Sequence, residues 1–444
     1  MGFVASSKGF KMLTSAMNQF SAILRRLPFG TWKERTWLWL LIGFAVFVRL
    51  GYVLILGKEE LTWGDEFTYN QLATNILNHG CFCFVPGEPT LWRAPLYPAT
   101  LALLYAMFGE NNFIVVLVLQ ALFGGLSALL PVLIGKQMSG SFWVGLLAGV
   151  GFALNPLLIF ATGLIYSETF YFPLLLAAVY LWMRLIAWPS RWIVITVGSG
   201  VLLGLSVLMK PNLMLFPIWL IVWGWAAFRS LRRGILVAVV IGLAMLMLLV
   251  PWLVRNYTVT GRLSLTLSLS SAMAFYQGNN PMSEGGGIDE IVYVETMPEL
   301  QGLSELEKSD TLWRWGIDWI RENPGGFLRL VPLKIIRFFS PLETSVRGRV
   351  ATSIDQLIYG AFVIYYALAI VGVVRSIPRW RNWTLAYMLI LYPILLTVVF
   401  YGGTRYGLVA QPFVMLFVAL AIVHVVQILQ RRKSKQKSGR IAVS

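Results

Sequence analysis

Charged residues are scarce in this chain of 444 residues: they make up 13% of it, whereas soluble globular proteins contain roughly 25%. Acidic residues are the rarest, with 20 Asp and Glu against 36 Lys and Arg. Hydrophobic residues make up 57%, and the mean hydropathy is +0.71. This composition argues against an ordinary soluble domain. Repeated apolar runs of about 20 residues predict a helical protein that crosses the membrane many times.

Cysteine and histidine are nearly absent as well, with two residues of each. We interpret Cys81 and Cys83 as two small packed residues in a loop, because their spacing is too short for an easy disulfide and two ligands are too few for zinc. The chain also lacks a P-loop, a dinucleotide fingerprint, a G-x-S-x-G elbow and an H-E-x-x-H motif. These absences argue against nucleotide-driven transport by this chain alone and against nucleotide-sugar chemistry on a Rossmann-like domain.

Ten apolar segments are long enough to cross the hydrocarbon core of a bilayer, which is about 30 Å thick. They are residues 37–56, 112–136, 141–160, 164–186, 192–209, 211–228, 235–254, 354–374, 383–401 and 405–430. We therefore predict an all-α polytopic membrane protein with about ten transmembrane helices, built as one membrane domain over residues 37–430.

The distribution of charge along the chain predicts its orientation. With the N-terminus inside, the basic tails 1–36 and 431–444 and the basic connectors between spans lie in the cytoplasm, and Glu34 is their one acidic residue. Cytoplasmic segments rich in Lys and Arg are what the positive-inside rule expects. We predict an integral protein of the cytoplasmic (inner) membrane, with both termini inside and the other carboxylates at or near the outer face.

Two extracytoplasmic segments, 57–111 and 255–353, are too long to be simple connectors. Residues 96–108 of the first are apolar but too short for a span, so we expect an interfacial or re-entrant helix there. Residues 325–340 of the second mix Arg and Lys with Leu, Ile and Phe. That mixture predicts an amphipathic helix lying on the membrane.

Two acidic sites stand out because carboxylates are so few. Asp65 and Glu66 lie side by side shortly after the first span. Such a pair is either the solvated start of a helix, with Asp65 as its N-cap, or a reaction centre in which a carboxylate accepts the proton of an attacking hydroxyl group. Glu168 lies at the outer end of an apolar segment with no basic residue nearby in sequence. Its partner therefore comes from elsewhere in the fold or is a ligand.

Four basic residues lie at the outer face, where the positive-inside rule does not require them. They are Arg93, Lys210, Arg255 and Arg405. Each is either an anchor for lipid headgroups or a ligand for an anion, because Arg and Lys bind phosphate oxygens through charge-assisted hydrogen bonds.

Aromatic residues crowd the first outer segment. Tyr69, Trp92 and Tyr97 either stack on a sugar or belong to the ordinary aromatic belt of a membrane protein. The sequence identifies no cofactor. The carboxylates of Asp65 and Glu66 could hold a divalent metal ion, and the residues do not decide whether the chemistry depends on a metal.

Three motifs in this order resemble the membrane-embedded GT-C glycosyltransferases: Asp65-Glu66, the run Arg-Ala-Pro-Leu-Tyr-Pro over 93–98, and Ser167-Glu168. The bacterial branch of the protein O-mannosyltransferase superfamily (family 39) is most similar. That branch includes the lipid A aminoarabinose transferases and the galacturonic acid transferases of lipopolysaccharide core. The basic residue that usually follows the acidic pair is missing here. The resemblance is strongest in residues 64–109, 163–173 and 251–281.

The resemblance implies an inverting glycosyltransferase that moves a hexose or pentose from a polyprenyl-phosphate carrier to an envelope acceptor: a lipid, a glycan or a protein. Asp65 matches the base or acceptor-orienting group, and Glu66 matches a neighbour that positions acceptor or donor. Glu168 resembles the second acidic site residue. The implied phosphate- and donor-binding residues are Arg93, Lys210, Arg255 and Arg405.

The alternatives are a transporter or flippase for a lipid-linked saccharide and a non-catalytic membrane scaffold. A transporter would need polar groups at the bilayer midplane and pseudo-symmetric halves. In this chain the carboxylates concentrate at one face and the halves look unlike. The expected partners are the lipid-linked donor, the envelope acceptor and membrane lipids, with no nucleic acid.

Overall fold

A computed structural model describes residues 32–62, 64–262, 267–286, 297–341 and 353–441. Of the two predicted basic tails, residues 1–31 and 442–444 lie outside these ranges. Within them, regular structure consists of helices and one two-stranded antiparallel hairpin.

The helices are numbered here in chain order. They are α1 (Trp32–Leu56), α2 (Gly64–His79), α3 (Leu96–Phe108), α4 (Phe113–Leu126), α5 (Leu129–Ser139), α6 (Phe142–Leu154), α7 (Pro156–Thr162), α8 (Glu168–Ala187), α9 (Trp192–Met209), α10 (Phe216–Phe228), α11 (Leu231–Thr260), α12 (Ser270–Gln277), α13 (Glu305–Glu322), α14 (Pro324–Phe339), α15 (Ser353–Ser376), α16 (Trp380–Val399), α17 (Thr404–Gly407) and α18 (Gln411–Ile441). The hairpin pairs β1 (Cys83–Val85) with β2 (Glu88–Pro89), and short 3-10 turns lie at Pro189–Arg191, Pro211–Leu213, Pro298–Leu300, Ile377–Arg379 and Leu408–Ala410.

The prediction of a polytopic helical membrane protein is confirmed. Seven helical stretches of the described residues are long and apolar enough to cross a membrane, and the bent pair α6–α7 makes an eighth. One of the seven, Asp355–Val399, covers α16 and all of α15 except its first two residues, and α10 is a shorter apolar helix. Each of the ten predicted segments therefore corresponds to helix in the structure.

The predicted span 141–160 is broken at Asn155. The Asn155 side chain accepts hydrogen bonds from the backbone N–H groups of Leu157 and Leu158 and so caps α7. Because a new helix starts there, α6 and α7 meet at an angle of 50°. Asn and Pro next to each other in an apolar run are a local signal for such a break.

The predicted span 164–186 begins four residues later than expected. Residues 163–167 turn outside the helix, and α8 starts at Glu168. This shift places Glu168 in the first turn of α8, where the positive end of the helix dipole favours a carboxylate.

Close backbone contacts at glycine hold neighbouring spans together. A Cβ at Gly145 of α6 would collide with Val132 of α5, and one at Gly234 of α11 would collide with the backbone of α10. Small residues at such contacts let helices pack tightly in lipid. One large apolar cluster runs through the spans, and a second lies around Met273 and Leu312, in the long segment between α11 and α15.

Both predicted outer helices are present. Helix α3 has the predicted limits, and α14 covers Pro324–Phe339 instead of 325–340. One side chain of α14 differs from the expectation for an amphipathic helix lying on the membrane. Lys334 is fully buried, because the chain after α16 and the loop at Gly285 pack over it.

The interpretation of the cysteines is wrong, because the structure joins Cys81 and Cys83 in a disulfide. Gly80 ends α2 with a φ of 63°, and the chain curls after it so that the two cysteine Cα atoms are 5.4 Å apart. That separation lies in the usual range for disulfides. The hairpin that follows is tied to α2, since Asn75 Nδ2 donates to the backbone oxygen of Cys83 at 2.8 Å.

Candidate active site

Five charged side chains from distant parts of the chain meet in one cluster, which we call the charged cluster. Its members are Asp65, Arg93, Glu168, Lys210 and Arg405. Arg93 and Arg405 pair with Asp65, and Lys210 and Arg405 pair with Glu168. The fold thus brings together two of the three predicted carboxylates and three of the four predicted cations.

Asp65 lies in the first turn of α2, which begins at Gly64. Its Oδ1 accepts a hydrogen bond from Arg93 and its Oδ2 one from Arg405. The side chain is 25% exposed, so it is open to solvent. Burial by itself raises the pKa of this carboxyl group, but the charges of Arg93 and Arg405 outweigh burial and hold the pKa of Asp65 well below its ordinary value.

Glu168 is the buried carboxylate of the cluster, with 2% of its side chain exposed. Oε1 accepts from Lys210 Nζ at 2.8 Å and from Arg405 Nε at 2.5 Å, and Oε2 accepts from Arg405 Nη2 at 3.3 Å. Its partners therefore come from elsewhere in the fold, one of the two alternatives that the sequence left open. A buried carboxylate compensated by two cations holds both of them in place.

Arg405 joins the two halves of the cluster. It lies in the short helix α17 between the last two spans. Its guanidinium group reaches Asp65 on one side and Glu168 on the other, and its Cζ is 4.0 Å from the centre of the Tyr166 ring. Three cations face two carboxylates in the cluster, which leaves a net positive charge suited to an anion.

Lys210 leaves the end of α9 with extended backbone, immediately before the Pro211–Leu213 turn. Burial lowers the pKa of Lys210, and the neighbouring Glu168 opposes that effect. The side chain is 13% exposed, and the centre of the Tyr406 ring lies 5.8 Å from its Nζ. Lys210 thus lies at a partly open edge of the cluster.

Glu66 is fully buried and is bound to the scaffold. Its Oε1 accepts from the backbone N–H of Ile165 at 2.7 Å, and its Oε2 accepts from that of Thr62 at 2.9 Å. Lys58 Nζ lies 2.7 Å from Oε1. These contacts tie the start of α2 to the loop that precedes Glu168.

Arg255, the fourth predicted cation, lies at the hairpin. Its guanidinium group donates to the backbone oxygens of Thr90 at 2.8 Å and Phe82 at 3.1 Å. Glu305 of α13 accepts from the Thr90 hydroxyl at 2.5 Å. Together these contacts fix the stretch of chain that leads to Arg93.

The three predicted sugar-stacking aromatics pack within the protein. Tyr69 and Tyr97 are 7% and 0% exposed, and their rings meet edge to face with centres 4.9 Å apart. Arg93 Cζ lies 5.3 Å from the centre of the Tyr69 ring. Trp92 is partly buried against the second apolar cluster, which contains Met273 and Leu312. The Tyr69 ring thus packs between Arg93 of the charged cluster and the buried Tyr97 ring.

Sequence reasoning missed Gln120, which is fully buried in α4. Its Nε2 donates to the backbone oxygen of Leu164 at 2.7 Å, and its Oε1 accepts from the Tyr97 hydroxyl at 3.0 Å. Gln120 therefore binds the loop before Glu168, the same loop that Glu66 binds at Ile165. A lone amide inside an apolar span is the signal that identifies such a residue, because a polar side chain there needs a partner.

The neighbouring acids do not form a metal site. Both oxygens of Asp65 face arginines, whereas those of Glu66 face Lys58 and backbone N–H groups. Across the described ranges, no three His, Cys, Asp or Glu side chains are grouped to hold a metal ion. We therefore assign no step to a metal.

No protein-family model and no curated protein matches the chain. Its structure matches the archaeal oligosaccharyltransferase AglB from Archaeoglobus fulgidus, solved with an inhibitory peptide and a dolichol-phosphate, over 92% of this chain with a TM-score of 0.58 and 13% identity. The apo form of the A. fulgidus oligosaccharyltransferase matches over 92% of this chain with a TM-score of 0.57 and 14% identity. ArnT from Cupriavidus metallidurans, bound to undecaprenyl phosphate, matches over 87% of this chain and 78% of its own, with 13% identity and a TM-score of 0.41.

The similarity to the oligosaccharyltransferase concerns the fold, because few residues are identical. This chain spans 52% of the length of AglB in the first match and 53% of the second structure. The shared arrangement of helices extends over nearly the whole of this chain, and it agrees with the motifs that first indicated the resemblance. The protein is a multi-pass membrane protein with the fold of the GT-C glycosyltransferases.

Proposed function

We propose that this protein is an inverting glycosyltransferase that moves a hexose or pentose from a polyprenyl-phosphate carrier to an envelope acceptor on the extracytoplasmic side. The acceptor is a lipid, a glycan such as lipopolysaccharide, or a protein. The observation that carries the proposal is the pairing of Asp65 with Arg93 and Arg405 in a partly exposed cluster of net positive charge. Such a cluster offers a base for a hydroxyl group and cations for a phosphate.

Two further observations support the proposal. The A. fulgidus oligosaccharyltransferase, which shares the fold, was solved with a dolichol-phosphate, and that molecule combines an apolar chain with a phosphate as a polyprenyl phosphate does. The positive-inside rule assigns the residues of the charged cluster to the outer side of the membrane.

The proposed reaction is a single displacement. The acceptor hydroxyl oxygen attacks the anomeric carbon on the face opposite the carrier phosphate. A new bond from carbon to acceptor oxygen forms as the bond from carbon to phosphate oxygen breaks, so the configuration inverts. Asp65 accepts the hydroxyl proton, and the polyprenyl phosphate leaves with the electron pair. Arg93, Lys210 and Arg405 stabilise the negative charge that develops on that phosphate.

The two arginines also control the base. In the free protein they pair with Asp65 and hold its pKa low, which makes it a weak base. A carrier phosphate competes for the same guanidinium groups and weakens their hold on the carboxylate. The pKa of Asp65 then rises toward a value useful for proton transfer, so donor binding prepares the base.

The other predicted residues act through this cluster. Glu168 orients Lys210 and Arg405. Glu66 joins the start of α2 to the loop before Glu168, and Arg255 supports the chain that leads to Arg93.

Sugar transfer by the purified protein tests the proposal. Mass spectrometry of envelope glycans with and without the gene identifies the sugar and the acceptor, and a synthetic lipid-phosphate donor then allows rates to be measured. We expect Asp65→Asn to lower kcat on the order of 100- to 10,000-fold. Asp318→Asn, at a half-exposed position of α13, serves as the matched control and keeps the wild-type rate. A folded Asp65→Asn protein with the wild-type rate would remove Asp65 as the base.

A further inference from the structure

A buried lysine lies outside the charged cluster, in the second outer segment. Lys334 has no exposed surface. Its Nζ donates to Oδ1 of Asn279 at 2.9 Å and to the backbone oxygen of Val398 at 3.0 Å, and it lies 5.2 Å from the centre of the Phe327 ring. Burial lowers the pKa of Lys334 to about 8. The side chain is therefore largely charged at neutral pH, and in the described part of the chain no carboxylate forms a salt bridge with it.

Lys334 and Asn279 together cap the C-terminal end of α16. The last carbonyl groups of a helix lack partners within it and carry the negative end of the helix dipole. Here the oxygen of Val398 accepts from Lys334, and the oxygen of Val399 accepts from Asn279 Nδ2 at 2.8 Å. The same Nδ2 donates to the oxygen of Phe275 at 2.7 Å, which ties the end of α16 to α12.

The chain that leaves α16 packs closely between α14 and the residues that follow α12. A Cβ at Gly402 would collide with the backbone of Lys334, and a Cβ at Gly278 would collide with the carbonyl oxygen of Phe400. The turn between α16 and α17 therefore lies in direct backbone contact with Lys334 on one side and with Gly278 on the other. Arg405 follows three residues after Gly402, so its position depends on where this turn starts.

We propose that Lys334, with Asn279, is a positioning residue for Arg405. By capping the end of α16, the two side chains fix the turn from which Arg405 reaches both carboxylates of the charged cluster. The kinetic part of this inference rests on the proposed function, whereas its structural part concerns the turn alone. It also assigns a role to the Gly-Asn-Asn-Pro motif at 278–281, in one of the segments where the family resemblance is strongest.

Three variants test the inference on the full chain. Lys334→Met keeps much of the length of the side chain and removes the ammonium donors. Asn279→Ala removes the partner side chain, and it serves as a second route if Lys334→Met does not fold. Arg329→Met changes an exposed basic residue of the same helix and is the matched control.

Backbone hydrogen exchange over residues 400–408 is the measurement that does not depend on catalysis. We expect exchange there to become on the order of 10-fold faster in Lys334→Met and in Asn279→Ala, because a capped turn opens less often than an uncapped one. Arg329→Met keeps the wild-type pattern. Wild-type exchange over 400–408 in both folded test variants would overturn the inference.

Double-mutant kinetics tests whether the effect passes through Arg405. We expect Lys334→Met to lower kcat on the order of 10- to 100-fold, since a catalytic group displaced by about 1 Å costs a factor of this size. In an Arg405→Lys background the same change lowers kcat less than about 2-fold, because residues that act as a unit are not additive. Equal losses in both backgrounds would overturn the inference. A wild-type protein that transfers no sugar refutes the proposed function, and the exchange measurement alone then decides the inference.

Discussion

Arg405 and Glu168, which lie 237 positions apart in sequence, form a two-point ion pair in which Nε donates to Oε1 at 2.5 Å and Nη2 donates to Oε2 at 3.3 Å. A fork of this kind fixes the plane of the guanidinium group as well as its position. The remaining terminal nitrogen, Nη1, is thereby directed at Asp65. Glu168 thus determines how Arg405 approaches the candidate base, although it lies deeper in the protein than Asp65.

Glu168→Gln should change kcat and the affinity for polyprenyl phosphate in different ways. The change keeps one acceptor oxygen but removes the charge that holds Arg405 and Lys210, so we expect kcat to fall on the order of 10- to 100-fold. The cluster then has one negative charge fewer, and polyprenyl phosphate binds at least as tightly as to the wild type. Steady-state kinetics and a fluorescence titration with polyprenyl phosphate measure the two effects. Weaker phosphate binding with an unchanged kcat would contradict the assigned role.

Lys210→Met tests the phosphate-binding edge of the cluster. A hydrogen bond to a charged group contributes about 1.5–3 kcal/mol, so we expect the Kd for polyprenyl phosphate to rise roughly 10- to 100-fold. The same titration provides the measurement. Arg321→Met, at an exposed position of α13, is the control for loss of one positive charge. Equal affinities of the Lys210→Met protein and this control would exclude Lys210 as a phosphate ligand.

The spans could be predicted because they depend on local sequence, whereas the side of the membrane on which the acids lie stays a prediction. Apolar length indicates the spans, and the bias of Lys and Arg predicts an orientation. The separate roles of Asp65 and Glu66 could not be predicted, because neighbouring residues on a helix point about 100° apart. Only the fold shows that Asp65 faces two arginines while Glu66 faces the loop before Glu168.

Partners that are distant in sequence explain why the environments of Arg255 and Lys334 differ from the predictions. Arg255 resembles the other outer cations in sequence, but the hairpin offers it two backbone oxygens. Lys334 looks like one of several basic residues on an amphipathic helix, and it is buried because chain from two distant regions packs over it. The residues next to Arg255 and Lys334 in sequence do not show that Arg255 binds backbone oxygens or that Lys334 is buried.

Glu66→Gln is expected to affect stability more than chemistry. Glu66 and Lys58 form a buried pair, with side chains 0% and 6% exposed, and breaking such a pair from one side costs about 3 kcal/mol. Thermal unfolding in detergent should therefore show a lower Tm for Glu66→Gln than for Glu60→Gln, an exposed control.

Adding Lys58→Met to Glu66→Gln should restore part of the lost stability, because the unpaired ammonium group is then removed. An unchanged Tm in the single variant, combined with a large loss of kcat, would instead make Glu66 a catalytic group.

The paired arginines also predict how activity depends on pH. Asp65 has a folded pKa below its ordinary value of 3.8, so it is ionised in the free protein throughout the usual assay range. The pH profile of kcat/KM reports the free enzyme and should show no acid limb from Asp65 above about pH 5. In the donor complex the phosphate shares the arginines, the pKa of Asp65 rises, and an acid limb in kcat appears at a higher pH than in kcat/KM. Coincident acid limbs in the two profiles would show that donor binding leaves the pairing of Asp65 unchanged.

Stability gives an independent test of the same pairing. A carboxylate with a lowered folded pKa contributes stability that is complete above its unfolded pKa and is lost as the pH falls through the folded value. The free energy of unfolding of the wild type should therefore decline more steeply below about pH 4 than that of Asp65→Asn, which has no proton to take up at this position. Parallel curves for the two proteins would mean that Arg93 and Arg405 do not hold the Asp65 carboxylate in the folded state, and the charged cluster would lose its central ion pairs.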